Sequence, residues 1–458
     1  MITFSEHQRS LGIISKAFER KDSGIIVYYG EAGLGKTSLL REVADKYEDS
    51  IYYMAVPASS RQQASFMAEK CLQNNNLGEF PTYSQVFSEI GKTTKGKRIL
   101  IFDEFDTLLK ADDSFMEEIM KMASGEYSKF PFLFIFCTSS LSFVSGTMSK
   151  KMGKAALLIK GLIKAKEFSY SEMLTLCEGR SRNDVFYRYA LLGGRPFSIL
   201  GSLKYETIRD VIENMFLMND GFYYDYGIRY IEEQLREPGV YSTILYLIAK
   251  GNNKLNDLFA LSGFSRAKIS VYLKNLIELD LVEKVYSYGA QARDDSLKGV
   301  YRISNPMMFF WYRFVYERRS DLEILGAEKF FDTYIEKDLS AYLEYYYGKI
   351  AGSLIGEEKI NGIVEIKRCE EWVGKSGAIP VVAVPVGNAG KRGTGTICCF
   401  TKRALPVSNE DIDEIKEILL KASLSPKEVV IFTEAGSNVT GGAILGSNLC
   451  IQSLFSSF

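Results

Sequence analysis

Gly30-Glu31-Ala32-Gly33-Leu34-Gly35-Lys36-Thr37 (GEAGLGKT) follows the apolar run Gly24–Tyr29 (GIIVYY) and precedes Ser38–Tyr47, whose apolar residues recur at helical spacing. The octapeptide matches G-x4-G-K-[ST] and stands between a strand and a helix, as its mechanism requires. Gly30, Gly33 and Gly35 let backbone N–H groups curl around phosphates, and the positive end of the following helix adds to the attraction. Lys36 is placed to bridge β- and γ-phosphates, the Thr37 hydroxyl to ligate Mg²⁺, and Ser38 to complete the loop. The residues therefore imply a site for ATP with Mg²⁺.

Outward from this loop, Arg98–Phe102 and Phe132–Cys137 are short apolar runs bounded by polar residues, the pattern of buried parallel strands. Ile51–Val56 is a further strand candidate. Asp103 ends the first of these runs and is expected to hold a water of the Mg²⁺ shell, with Glu104 beside it to polarise the attacking water. An acidic strand end alone reads equally well as structural; about seventy residues after a phosphate loop it gains weight. Ser139, after the Phe132–Cys137 run, reads either as a sensor of the γ-phosphate or as a helix N-cap.

The chain has 458 residues, enough for about three domains. Fifty-six basic against fifty-seven acidic side chains leave no global field that would call for nucleic acid or membrane. The seven cysteines form no CxxC pair, which suits reduced thiols in a cytoplasmic protein. A single histidine, His7, argues against His-based metal sites and triads. No apolar run of membrane-spanning length and no secretory leader pattern occurs, so no membrane partner is expected.

The expected organisation is an α/β phosphate-loop core over 1–165, a helical lid over 166–236, a winged helix over 237–305, a helical connector over 306–335 and an α/β domain over 336–458. Gly193-Gly194-Arg195-Pro196 interrupts the helical lid, and Pro238-Gly239 punctuates the chain again. Asn305-Pro306 opens an aromatic-rich helix, Met307–Tyr316.

YYGEAGLGKT, ILIFDEFDTLL, FIFCTSSLS, YALLGGRP, LREPGVYSTIL and YRISNPMMFFWYRFVY occur in that order. Together they resemble the AAA-related archaeal-type ATPases, close to the signal-transduction (STAND) NTPases, over roughly residues 24–345. The resemblance implies a five-stranded core, a helical lid, a winged helix and a C-terminal restriction-endonuclease-like domain. It also implies a slow, switch-like ATPase, with Arg195 as a lid-borne sensor or, alternatively, a surface arginine in a capping turn. Two departures stand out. Phe4 is followed by Ser5-Glu6-His7 where the family has a Gly-Arg pair. Gly153-Lys154 stands where the family has Gly-Arg, and lysine offers a point charge in place of a planar fork.

Over 240–285 the spacing reads as three helices: Tyr241–Ala249, Leu255–Leu261, and one capped by Ser265 and running through Leu279. Ile269, Leu273, Leu276 and Ile277 are expected inside. Arg266, Lys268 and Lys274 are expected outside, near Tyr272 and Asn275, as a possible DNA face; a solvated domain coupler is the alternative. Leu281–Val285 and Gly299–Ile303 read as the wing, whose segment 292–298 (ARDDSLK) mixes signs.

The C-terminal resemblance requires a helix glutamate, a strand aspartate and a Glu-x-Lys to hold metal. Aligned on the family, these positions read Gly348, Pro380 and Phe400-Thr401-Lys402, so nuclease activity is not expected. Glu365-Ile366-Lys367 is a second Glu-x-Lys, but it precedes the aspartate position. A DNA-binding regulator that holds ATP with little turnover remains the alternative function. A protein partner is expected without being identified, and the oligomeric state is open.

Overall fold

The computed structural model describes residues 5–72, 77–78, 80–111, 114–289, 299–357, 360, 365–374, 377–386, 395–439 and 442–457. Phe4, the wing segment 292–298 and parts of the expected 336–458 domain lie outside the described residues. The chain forms two compact units: Met1–Phe168 with Arg195–Ser198, and Ser169–Gly194 with Ile199–Phe458. Arg195–Ser198, expected in the helical lid, thus packs with the first unit.

In the first unit, β1 (Gly24–Tyr29), β2 (Ile51–Met54), β3 (Arg98–Asp103), β4 (Phe132–Thr138) and β5 (Ile159–Lys164) form a parallel sheet in the order β2-β3-β4-β1-β5. The apolar runs become strands because both faces of the sheet are covered. Ile25, Val27, Phe102, Phe134 and Phe136 face one core, and Ile26, Tyr28, Ile101, Ile135 and Cys137 face the other. Phe102 is packed edge-on against Phe87 and Phe115, with ring centroids 6.2 and 5.2 Å away. Truncating such a ring to alanine costs about 3–5 kcal/mol. The helix expected from Ser38 begins two residues earlier, at Lys36.

The second unit contains three helices, Pro238–Ala249, Leu255–Ser262 and Arg266–Glu278, followed by the antiparallel pair β6 (Val282–Val285) and β7 (Val300–Ile303). Ser265 caps the third helix, its Oγ accepting from the Lys268 N–H at 3.2 Å. The buried face of that helix differs from expectation. Tyr272 is buried with Ile269, Leu273 and Leu276, and its hydroxyl meets the Glu237 carboxylate. Ile277, expected inside, is exposed. The side chain of Asn305 accepts from the Met308 N–H at 3.1 Å and starts the helix Pro306–Phe310, which runs on into a wider turn, Trp311–Val315.

A six-stranded mixed sheet follows, built from β8 (Ile366–Gly374), β9 (Gly377–Pro385), β10 (Ile397–Thr401), β11 (Glu428–Phe432), β12 (Gly442–Ile444) and β13 (Ser447–Gln452). Its order is β12-β13-β11-β10-β9-β8. Pro380 occupies β9 where the pairing with β8 shifts register: Glu370 faces Val382, and Trp372 faces Ile379. Proline lacks a ladder donor, and a bulge is where a strand tolerates it. Among the described residues no helix is long and apolar enough to cross a membrane. The seven cysteines are free thiols.

Candidate functional site

The carboxyl ends of β1, β3 and β4 gather the phosphate-loop residues. Gly30 adopts φ +155°, and a Cβ there would stand 2.9 Å from the Ala165 Cβ, so only glycine lets the loop leave β1 here. Gly33 and Gly35 take φ of +83° and +80°, the left-handed region that favours glycine. Gly35 is the N-cap of the helix Lys36–Lys46, so no side chain caps its first amides. An anion is the natural partner of such an end.

Lys36 is buried and donates from Nζ to the carbonyls of Gly30 and Glu31, each at 2.7 Å. Burial pushes its ammonium below the ordinary lysine range, while the charges of Glu104, Asp103 and Glu31 act against that shift. The Thr37 hydroxyl donates to Asp103 Oδ2 at 3.0 Å, bringing the two expected Mg²⁺ residues together. Asp103 also accepts from the Tyr52 hydroxyl at 2.8 Å and from the Glu104 N–H at 3.0 Å. Burial and then the Asp103 carboxylate push the Tyr52 phenol well above its ordinary range.

Glu104 stands at φ +51°, a left-handed conformation that costs a side-chain-bearing residue about 1–3 kcal/mol and clusters at functional sites. Its carboxylate accepts from the Ser139 hydroxyl at 2.9 Å and from the Ser139 N–H at 3.4 Å. The two readings of Ser139 separate here. The helix Leu141–Gly146 is capped by Ser140, whose Oγ accepts from the Phe143 N–H at 3.3 Å, and Ser139 instead contacts Glu104. Thr138 donates to Asp106 at 2.7 Å, fixing the turn after β3 to the end of β4.

Arg195 is not a surface arginine. Its guanidinium is buried against the Glu31 carboxylate and donates to Glu167 Oε1 at 2.9 and 3.0 Å. Lys154 is exposed. Ser38 lies in the first turn of the helix, next to Thr37.

The sequence reading missed Tyr52, Glu31 and Glu167 as members of this cluster. Tyr52 lies within an apolar run, and only the order β2-β3 places its hydroxyl beside Asp103. Glu31 occupies an unrestricted position of the motif.

The expected DNA face is partly neutralised. Arg266 donates to Asn256 at 2.6 Å and lies over the Phe259 ring; Lys274 is 3.7 Å from Glu278. Lys268, expected to point outward, is half-buried over the Phe264 and Tyr272 rings, 3.8 Å from Glu237.

In the second unit, Gly348, Pro380 and Thr401 come together. A Cβ at Gly348 would stand 3.1 Å from Pro380 Cβ and 3.8 Å from Thr401 Oγ1. The adjoining cavity, about 680 Å³, is lined by Arg302, Glu344, Lys349, Glu371 and others. Arg302 donates to Glu371 at 2.6 Å and Lys349 to Glu283 at 2.5 Å. Glu365 and Lys367 are exposed at the start of the edge strand β8. Among the described residues, no group of three or more His, Cys, Asp or Glu side chains is placed to hold a metal.

Residues 19–143 match the AAA domain model, and residues 311–391 match a model described as archaeal and bacterial proteins of unknown function. An uncharacterized protein of Methanocaldococcus jannaschii is 23% identical over 397 residues, covering 83% of this chain and 84% of that protein. Among solved structures, the Walker-type ATPase of Pyrococcus abyssi superposes with a TM-score of 0.51 at 15% identity, covering 68% of this chain and 96% of that one. The ORC2 protein of Aeropyrum pernix, solved as ADPNP–ADP complexes, is similar at 12% identity with a TM-score of 0.46, covering 69% and 92%. The chain carries an AAA-type P-loop ATPase core on a parallel sheet, with a separate mixed sheet toward its C-terminus.

Proposed function

We propose that this chain is an ATP-driven molecular switch of the AAA/STAND-like class that hydrolyses ATP slowly and passes its nucleotide state to a winged helix at 237–305. The observation that carries the reading is Glu104 held at φ +51° on Ser139, beside a joined Thr37–Asp103 pair. In this reading the carboxylate is a water-orienting base kept from its water, and strained conformations of this kind cluster at active sites and switch regions. Gly30–Thr37 bind and orient the phosphates, with Lys36 exchanging two loop carbonyls for phosphate oxygens. Thr37 and Asp103 would hold Mg²⁺, which when bound offsets charge on the β- and γ-phosphates. Ser139 senses the terminal phosphate, Arg195 contacts it from the chain beyond Phe168, and release of Glu104 from Ser139 frees the base. Lys154 in place of an arginine supports slow turnover, because a compact ammonium matches the planar charge of the transition state less well.

Hydrogen exchange with ATP and with ADP tests the switch. ATP is expected to slow exchange at 138–140 and within Arg266–Glu278, and ADP is not; identical patterns with both would end the reading.

A second reading, a DNA-associated regulator that holds ATP, is favoured by one observation: Arg266–Ile277 carries no acidic residue. Lys268 and Lys274 each stand near a carboxylate, which places this reading second. DNA affinity that does not change between low and moderate salt would remove it. We further read the C-terminal sheet as a nuclease-like scaffold without cleavage activity, since Gly348, Pro380 and Phe400, at the three acidic positions, offer no carboxylate for a metal ion.

A further inference from the structure

We propose that Glu31 is a positioning residue that holds Arg195 while the site lacks a triphosphate, so that Arg195 is released only to a terminal phosphate. The inference rests on Gly30–Thr37 being a nucleotide site.

Both side chains of the pair are 6% exposed, so this is a buried contact within the first unit. Glu167, at 33% exposure, accepts from the same guanidinium. Glu31 also uses its backbone, since its carbonyl accepts from Lys36 Nζ at 2.7 Å. One residue of the phosphate loop therefore engages both cations of the site, Lys36 through its backbone and Arg195 through its side chain.

A buried carboxylate in an anion-binding loop needs a counter-charge. Arg195 supplies it, and the guanidinium fork fits carboxylate and phosphate alike. A γ-phosphate can therefore replace Glu31 as its partner, whereas ADP has no group to offer and leaves the pair in place. The pair opposes ATP and not ADP, and so lowers the preference for the triphosphate below what Lys36 and Arg195 alone would set. A nucleotide with differential contacts in the two arrangements is what shifts an equilibrium between them.

The test is equilibrium calorimetry of Mg²⁺-ATP and Mg²⁺-ADP in a Glu104→Gln background, with and without Glu31→Gln, each repeated with Arg195→Ala. Glu31→Gln is expected to raise the ratio of ATP to ADP affinity about tenfold, the scale of one charge-assisted contact. With Arg195→Ala, the same substitution is expected to move that ratio less than about twofold. Glu167→Gln gives an independent reading, a smaller rise that also vanishes with Arg195→Ala. Loss of charge at Glu31 that merely relieves repulsion would raise the ratio in both Arg195 backgrounds alike, and would overturn the proposal. So would a ratio unmoved by Glu31→Gln, or, should that variant not fold, by Glu167→Gln. A protein that binds both nucleotides without this coupling defeats the inference alone. A protein that binds neither defeats the nucleotide site with it.

Discussion

At the ends of β1, β3 and β4 the chain sets Lys36, Thr37, Asp103, Glu104 and Ser139, all engaged through polar contacts with one another or with the loop. Where the helix Glu336–Gly356 meets β9 and β10 it sets Gly348, Pro380 and Thr401. Both places bring separated segments together. Only the first has charged side chains at the positions themselves. Backbone topology assembles positions, and the atoms at those positions decide whether anything can be bound or transferred. In the second place the three residues border the cavity without a charge of their own: a Cβ at position 348 would stand 3.1 Å from Pro380 Cβ, and the nearby cations Arg302 and Lys349 are held by Glu371 and Glu283.

The contrast breaks most readily at Lys36. Lys36→Ala is expected to weaken Mg²⁺-ATP binding at least about a hundredfold, because a charge-assisted anchor to two phosphates is lost. Calorimetry that finds ATP bound as before would remove the distinction between the two places.

The C-terminal half of the contrast is sharpened by stability measurements. Alanine at 348 gains helix propensity but meets Pro380 at 3.1 Å. Gly348→Ala is therefore expected to be more favourable in a Pro380→Gly background, which removes the Pro380 Cβ, by about 0.5–1 kcal/mol, read from urea midpoints as a coupling energy. Additive effects would mean the two residues do not share that space.

The smallest effect is expected at Lys274, whose partner Glu278 is one turn away and whose side chain is 76% exposed. Lys274→Ala should change stability by less than about 0.5 kcal/mol. A larger loss would show the helix surface to be structural, weakening the case for DNA there.

Legibility in the sequence followed burial. β1, β3 and β4 are continuous apolar runs because both their faces are covered, and such runs announce themselves. β5 lies at the sheet edge and reads Ile-Lys-Gly-Leu-Ile-Lys, half exposed, with no periodicity strong enough to mark it. The site residues Lys36, Thr37 and Asp103 were legible because motif spacing encodes their chemistry. Tyr52 and Glu31 were not, since their roles depend on which strand lies beside β3 and on where Arg195 folds back. Tyr272 is buried with its ring 4.5 Å from that of Tyr241, its hydroxyl reaching Glu237, while Ile277 is exposed; helical spacing alone encodes neither neighbour.

Single-turnover phosphate release from Mg²⁺-ATP, compared between the intact chain and Glu104→Gln, tests the central claim most directly. The intact chain is expected to release phosphate slowly, and Glu104→Gln to keep its ATP affinity while releasing phosphate at least about a hundredfold more slowly. Equal rates from the two proteins would contradict the role assigned to Glu104 and, with it, the switch.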